Sequence, residues 1–239
     1  MSELIYVIHG AWCGPEHLRP LMHKLSRRFR VKAITLPGHG IGERPGKTSI
    51  ADYAAYVRGE MAEKGTLVGH SMGALVAQRA AAGNPLAELA ILLAPAPPFG
   101  NPYHGSIWLR ILKYLPSLAL GRPFRLTDDD ARALLLYPQR EEAEPFRPES
   151  GIAVRDMVLG QFVFWKRIRI DCPVLVIGGE EDRMIRPSVV RRIAAYYDAE
   201  AEMLTGAGHM LGDERYAGIV AGYIARAMHE LPPRPLAAE

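Results

Sequence analysis

Over the first hundred residues, short and nearly continuous apolar runs alternate with amphipathic stretches. The runs near 4–8, 30–35, 66–70 and 89–94 predict strands, and the stretches near 15–28, 49–63 and 72–83 predict helices. Runs this apolar fit strands covered on both faces. Their alternation with helices predicts a parallel sheet built from right-handed crossovers. The pattern breaks at Ala94-Pro95-Ala96-Pro97-Pro98, where prolines end the strand and send the chain outward. From about 100 to 170 the sequence is mainly helical, with no convincing parallel strand. The strand signal returns in Asp171-Cys172-Pro173-Val174-Leu175-Val176-Ile177-Gly178-Gly179. A helix starts at Pro187 and runs to about Asp198, Glu202-Met203-Leu204 is a last short strand, and 213–230 a last helix. The Pro-rich tail from Leu231 cannot continue that helix.

This pattern divides the chain into a core of 1–99 and 171–239 with a helical cap, 100–170, inserted into it. The first cap helix carries Ile107, Trp108, Leu109, Ile111, Leu112, Tyr114, Leu115 and Leu118, interrupted by Arg110 and Lys113. Apolar residues nearly all round it predict a helix that is buried, or that lies between a core and an apolar pocket. Phe162, Phe164 and Trp165 add aromatic area at the far end of the insertion. Most of these residues are expected to pack the cap on the body, and the rest to line a pocket.

Composition narrows the class. The 239 residues are 49% hydrophobic and 23% charged, as in a globular domain. The net charge of +3 is small, and no cluster of Lys and Arg with interleaved aromatics points to nucleic acid. Cys13 and Cys172 have neither disulfide-framework nor metal-ligand spacing, which fits a reducing compartment. No secretory signal pattern precedes the first strand and no segment is apolar enough for a membrane span, so a cytoplasmic location is expected.

The chemistry centres on Gly69-His70-Ser71-Met72-Gly73. It follows the apolar run Thr66-Leu67-Val68 and precedes a strong helix former, Ala74 to Ala80. A strand, a pinched turn and a helix make G-x-S-x-G a nucleophile elbow, with Ser71 exposed above the sheet edge. Only small flanking residues leave room for the strained turn. A serine hydroxyl is a poor nucleophile at neutral pH and needs a base, and the base needs an orienting group. Asp182 follows the strand at 174–177, and its neighbours Glu180 and Glu181 could substitute for it. Asp128, Asp129 and Asp130 are more distant rivals, better explained as a helix N-terminus inside the cap. His209, in Gly206-Ala207-Gly208-His209-Met210, stands out among eight histidines because it follows both the acid and the last strand. The oxyanion needs two aimed backbone donors. Met72 N–H supplies one, and Ala11 N–H, in His9-Gly10-Ala11-Trp12, is the candidate for the other. His9 then holds the loop, and Trp12 closes one wall of a pocket or packs the core.

With His9-Gly10-Ala11-Trp12, Leu36-Pro37-Gly38-His39-Gly40, the Ser71 elbow, Asp182 and His209 in this order, nearly the whole chain resembles the α/β-hydrolase superfamily. The resemblance implies an α/β-hydrolase fold, in a minimal form with a mainly parallel sheet of about six strands. Family members often carry Asp before the Leu-Pro-Gly-His-Gly segment and Ser after it, whereas Thr35 and Ile41-Gly42 stand here. The resemblance further implies a Ser71–His209–Asp182 triad, an acyl-enzyme, a small-molecule ester or thioester substrate, and no metal or organic cofactor. A carboxylesterase or lipase-like esterase is the leading expectation. An acyl-thioesterase or lysophospholipase comes next, and a ligand receptor on the same fold is the alternative of another class.

Overall fold

The computed structural model describes residues 3–98, 109–137, 144–159 and 168–230. Six strands form one sheet: β1 (Leu4–Ile8), β2 (Arg30–Ile34), β3 (Gly65–His70), β4 (Ala87–Leu93), β5 (Val174–Gly179) and β6 (Ala201–Leu204). Their spatial order is β2-β1-β3-β4-β5-β6, and every pairing is parallel. The sheet therefore grows outward in both directions from β1 and β3. Ligands on such sheets collect where the strand order reverses, outside the carboxyl ends.

Register brings those ends together. Ile8 pairs with Ile34 and Gly69, His70 with Leu93, Leu93 with Ile177, and Gly179 with Leu204. The loops after all six strands thus leave from one edge. Alternation within the buried strands feeds two cores. Tyr6, Ile8, Ala90, Leu92 and Val176 face one of them. Helices α2 (Ile50–Glu60), α3 (Met72–Ala81) and, from the far end of the chain, Pro187–Tyr196 cover that side. Ile5, Val7, Ile91, Leu93 and Ile177 face the other, covered by α1 (Arg19–Leu25) and the helix Glu214–Glu230.

The predicted helix at 15–28 is two pieces. A 3-10 turn over Pro15–Leu18 precedes α1, which ends at Leu25. Pro20 has no N–H to give Glu16 in a continuous helix, so the chain restarts there. The first cap helix departs from expectation in the same way. A 3-10 turn at Leu112–Tyr114 is followed by α4 (Leu115–Leu120), whose first turn carries Pro116. Gly121, at φ 64, ends α4 in the left-handed conformation, with Arg122 N–H donating to Ser117 O at 2.8 Å. Nor is this stretch buried all round. Ile111 and Leu118 are buried, but Leu109, Leu112, Leu115 and Leu120 face solvent, Leu109 at 73% exposure. Ile107, Trp108, Phe162, Phe164 and Trp165 lie outside the described residues.

Two more short helices, α5 (Asp128–Leu134) and α6 (Gly151–Leu159), complete the described part of the connection between β4 and β5. Beyond β5 lie α7 (Pro187–Tyr196) and α8 (Glu214–Glu230). Among the described residues no helix is long and apolar enough to cross a membrane.

Candidate active site

The elbow begins where β3 ends. Ser71 sits at φ 54 and ψ −117, a left-handed conformation costly for any residue with a side chain. Three backbone hydrogen bonds hold it there: Ser71 N–H donates to Leu93 O at 2.8 Å, and Ala74 and Ala96 N–H both donate to Ser71 O at 3.0 Å. Close backbone approach explains the flanking glycines. A Cβ on Gly69 would stand 2.3 Å from Gly73 O, and one on Gly73 would stand 2.3 Å from His9 O. The second clash shows that Gly73 also admits the first loop to the elbow.

Ser71 Oγ–H points to His209 Nε2 at 2.9 Å, and His209 Nδ1–H donates to Asp182 Oδ2 at 2.8 Å. All three residues are buried. Asp182 is locked from its other oxygen: Oδ1 accepts from Met184 N–H at 2.8 Å and Ile185 N–H at 2.9 Å. The rival acids stand elsewhere. Glu180 and Glu181 point to solvent from the same loop. Asp128, Asp129 and Asp130 form the first turn of α5 behind the N-cap Thr127. Asp130 is buried there, where Arg110, Lys113 and Tyr114 meet it at 3.0, 2.6 and 2.6 Å. Burial pushes its pKa up, but Lys113, Tyr114, Thr127 and Arg110 more than reverse this and hold it at about 2.

Met72 is the first residue of α3, where a helix leaves its N–H without an intrahelical acceptor. Ala11 belongs to the loop after β1, and both Ala11 and Ser71 line one pocket. His9 holds that loop. Its Nε2 accepts from Leu36 N–H at 3.1 Å, which places its proton on Nδ1, facing Gly10 O at 2.9 Å. Burial, then the neighbouring His39, push its pKa well below the ordinary value.

The pocket over Ser71 has an empty volume of about 590 Å³, open mouth included. Ala11, Trp12, Ala96, Met184 and Ile185 line it from the sheet side. From the β4–β5 connection come Ile111, Tyr114, Phe124, Leu134, Val154 and Met157 among others. No lining residue is charged. The Tyr114 hydroxyl is committed elsewhere, donating to Asp130 and accepting from Thr127 N–H at 2.9 Å. Trp12 takes both roles open to it: it lines the pocket and is buried, edge-on to Phe124 at 5.7 Å.

One feature without a sequence signal is a buried polar cluster beneath this wall. Glu149 accepts from Tyr53 OH at 2.8 Å and from Ser150 N–H at 2.7 Å, and its other oxygen meets His39 Nε2 at 3.0 Å. His39 Nδ1 faces Pro37 O at 3.2 Å, so both ring nitrogens have acceptors and the imidazolium suits the site. Burial alone would depress His39; the hydrogen bond and charge of Glu149 reverse this and leave it raised. Glu149 also pairs through its main chain with Phe124, and Arg147 N–H donates to Trp12 O at 2.7 Å. Residues 144–150 thereby tie the pocket wall to the loops after β1 and β2. Among the described residues no group of three His, Cys, Asp or Glu side chains is placed to hold a metal ion.

Residues 5–221 match the model of the alpha/beta hydrolase family. The chain belongs to that family.

Curated proteins similar to this chain include the following two. It is 32% identical over 80 residues to the pimeloyl-[acyl-carrier protein] methyl ester esterase of Aliivibrio salmonicida, covering 34% of this chain and 30% of the esterase. It is 26% identical over 224 residues to the dihydrolipoyllysine-residue acetyltransferase component of the acetoin cleaving system of Cupriavidus necator, covering 87% of this chain and 59% of that protein. The match thus spans less than two thirds of either relative. Among solved structures, the monoacylglycerol lipase of Paleococcus ferrophilus superposes with a TM-score of 0.68 at 22% identity, covering 93% of this chain and 94% of the lipase. At that identity the likeness concerns the fold.

Proposed function

We propose that this hydrolase cleaves carboxylic esters of apolar acids through Ser71, His209 and Asp182. The observation that carries the reading is the unbroken relay from Asp182 to Ser71, 2.8 and 2.9 Å per step, ending beneath an uncharged pocket. His209 takes the Ser71 proton as Oγ attacks the ester carbonyl. Asp182 keeps the imidazole in the tautomer that can do so and stabilises the imidazolium that forms. The Ala11 and Met72 amides receive the oxyanion, and the second lies at the positive end of α3. The alcohol leaves with the proton from His209, and water activated by the same ring then releases the acid. Residues 100–170 act as a cap on the core of 1–99 and 171–239, and their apolar side chains receive the acyl chain. The uncharged lining favours an apolar acyl chain over a charged one. Two of the similar proteins, the pimeloyl methyl ester esterase and the monoacylglycerol lipase, carry names that denote ester cleavage.

The test is the initial rate on p-nitrophenyl esters from acetate to palmitate, with Ser71→Ala alongside. An optimum at intermediate length that vanishes in Ser71→Ala is the expected result. Rates equal to those of Ser71→Ala across the whole series would remove the reading.

A further inference from the structure

We propose that His70 is a positioning residue, a neutral imidazole that holds the main chain of His209 in register with Ser71. The inference rests on the serine hydrolase reading above and assigns a task to the variable residue of the elbow. His70 is the last residue of β3 and immediately precedes the nucleophile. Its side chain is not free to face substrate, because the residue is only 1% exposed. Nε2 lies 2.9 Å from the carbonyl oxygen of His209, and the two rings are 5.1 Å apart. A carbonyl only accepts, so the proton must sit on Nε2. On its other side the ring touches the first loop: a Cβ on Gly10 would stand 3.1 Å from Nδ1. One buried ring therefore spans the nucleophile turn, the base loop and the residue before the Ala11 amide.

The arrangement requires His70 to stay neutral. Burial, then the nearby His209, depress its pKa to about 3. A second positive ring 5.1 Å from His209 would oppose the imidazolium that forms there during turnover. The same geometry argues against a packing role. Among the described residues Nδ1 is buried with no hydrogen-bond partner, which costs stability. Phenylalanine would fill similar space without that nitrogen. Among the described residues, the hydrogen bond to His209 is what favours histidine over phenylalanine here. The base loop is otherwise built from small residues, Gly206-Ala207-Gly208, so an anchor on its far side has something to restrain.

The experiment compares wild type with His70→Phe, His70→Ala and His70→Gln. It reads kcat and KM on the best p-nitrophenyl ester, the rate at which a fluorophosphonate labels Ser71, and the melting midpoint. Misalignment of a catalytic group by a fraction of an ångström to an ångström lowers rates by up to about 100-fold. His70→Phe is expected to lose roughly 30-fold in kcat and in labelling rate, with KM within about 3-fold and a melting midpoint at or above that of wild type. His70→Gln, which keeps an N–H donor of similar reach, is expected to regain most of the rate. His70→Ala supplies the background without a donor if the phenylalanine variant does not fold. Donor-less variants within about 3-fold of wild type would overturn the proposal, as would an equal loss in His70→Gln. Wild type inert to every ester and to the fluorophosphonate would overturn the serine hydrolase reading, and this inference with it.

Discussion

The sheet edge and the β4–β5 connection build one pocket from unlike materials. At the sheet edge the proposed reacting groups hang one to five residues beyond the strand ends, and each is held by several hydrogen bonds. In the connection the wall comes from helices of six, seven and nine residues, and leucines of its first part face solvent. Helices that short have little stability of their own and depend on tertiary anchors. Here the anchors are polar and buried: Asp130 under Arg110, Lys113 and Tyr114, and Glu149 under His39 and Tyr53. The difference teaches a division of labour. On the proposed function, the edge sets which bond is attacked and the connection sets what fits beside it.

The sharpest way to break this comparison is at the edge. His209→Ala is expected to lower kcat by roughly 10⁴-fold or more with the fold intact, and Asp182→Asn by about 10³- to 10⁴-fold. Glu180→Gln and Glu181→Gln should stay within about 2-fold, because both side chains point to solvent. Steady-state rates beside circular dichroism check this, and an active Asp182→Asn would mean the wrong acid had been chosen.

The anchor beneath the wall comes next. Glu149→Gln leaves the His39 imidazolium buried without its counter-charge, and should cost about 3 kcal/mol in urea unfolding at pH 6. His39 has its pKa raised above the ordinary 6.5 by Glu149. Its contribution is therefore complete below about pH 6.5 and lost as the pH rises through the raised folded value. The gap between wild type and Glu149→Gln should narrow over that rise. A gap that widens instead would show that His39 is neutral in the folded protein.

Met157→Ala tests the wall itself. Removing side-chain volume from the pocket should move the ester optimum to longer chains, with a change of about 1–3 kcal/mol in relative kcat/KM between short and long esters. An unmoved optimum would place the acyl chain elsewhere. The smallest effect belongs to the solvent face of the connection. Leu109→Gln should alter unfolding free energy by less than about 0.5 kcal/mol, since that side chain is mostly exposed already.

Much of this molecule was legible beforehand, and unevenly. The strands were readable because full burial makes their apolar runs continuous, as in Leu4–Ile8 and Val174–Gly179. The elbow was readable because close approach leaves only glycine at positions 69 and 73. Helix continuity was misread twice, at Pro20 and at Pro116, because apolar periodicity runs on past a residue that cannot donate its hydrogen bond. Exposure of Leu109, Leu112 and Leu115 was misread because composition all round a helix says nothing about how many neighbours cover it.

By itself, then, the sequence determined the layered α/β architecture, its family and the order of the residues that meet at one edge. Those follow from local periodicity and from turns that admit few residue types. Only the tertiary structure set which of Asp182, Glu180 and Glu181 meets His209, because three adjacent acids differ in where the loop aims them and not in their chemistry. Only it joined Glu149 to His39 across 110 positions, and His70 to His209 across 139. Contacts at such separation carry no periodic signal along the chain; packing creates them when the strand register brings distant loops to the same end of the sheet.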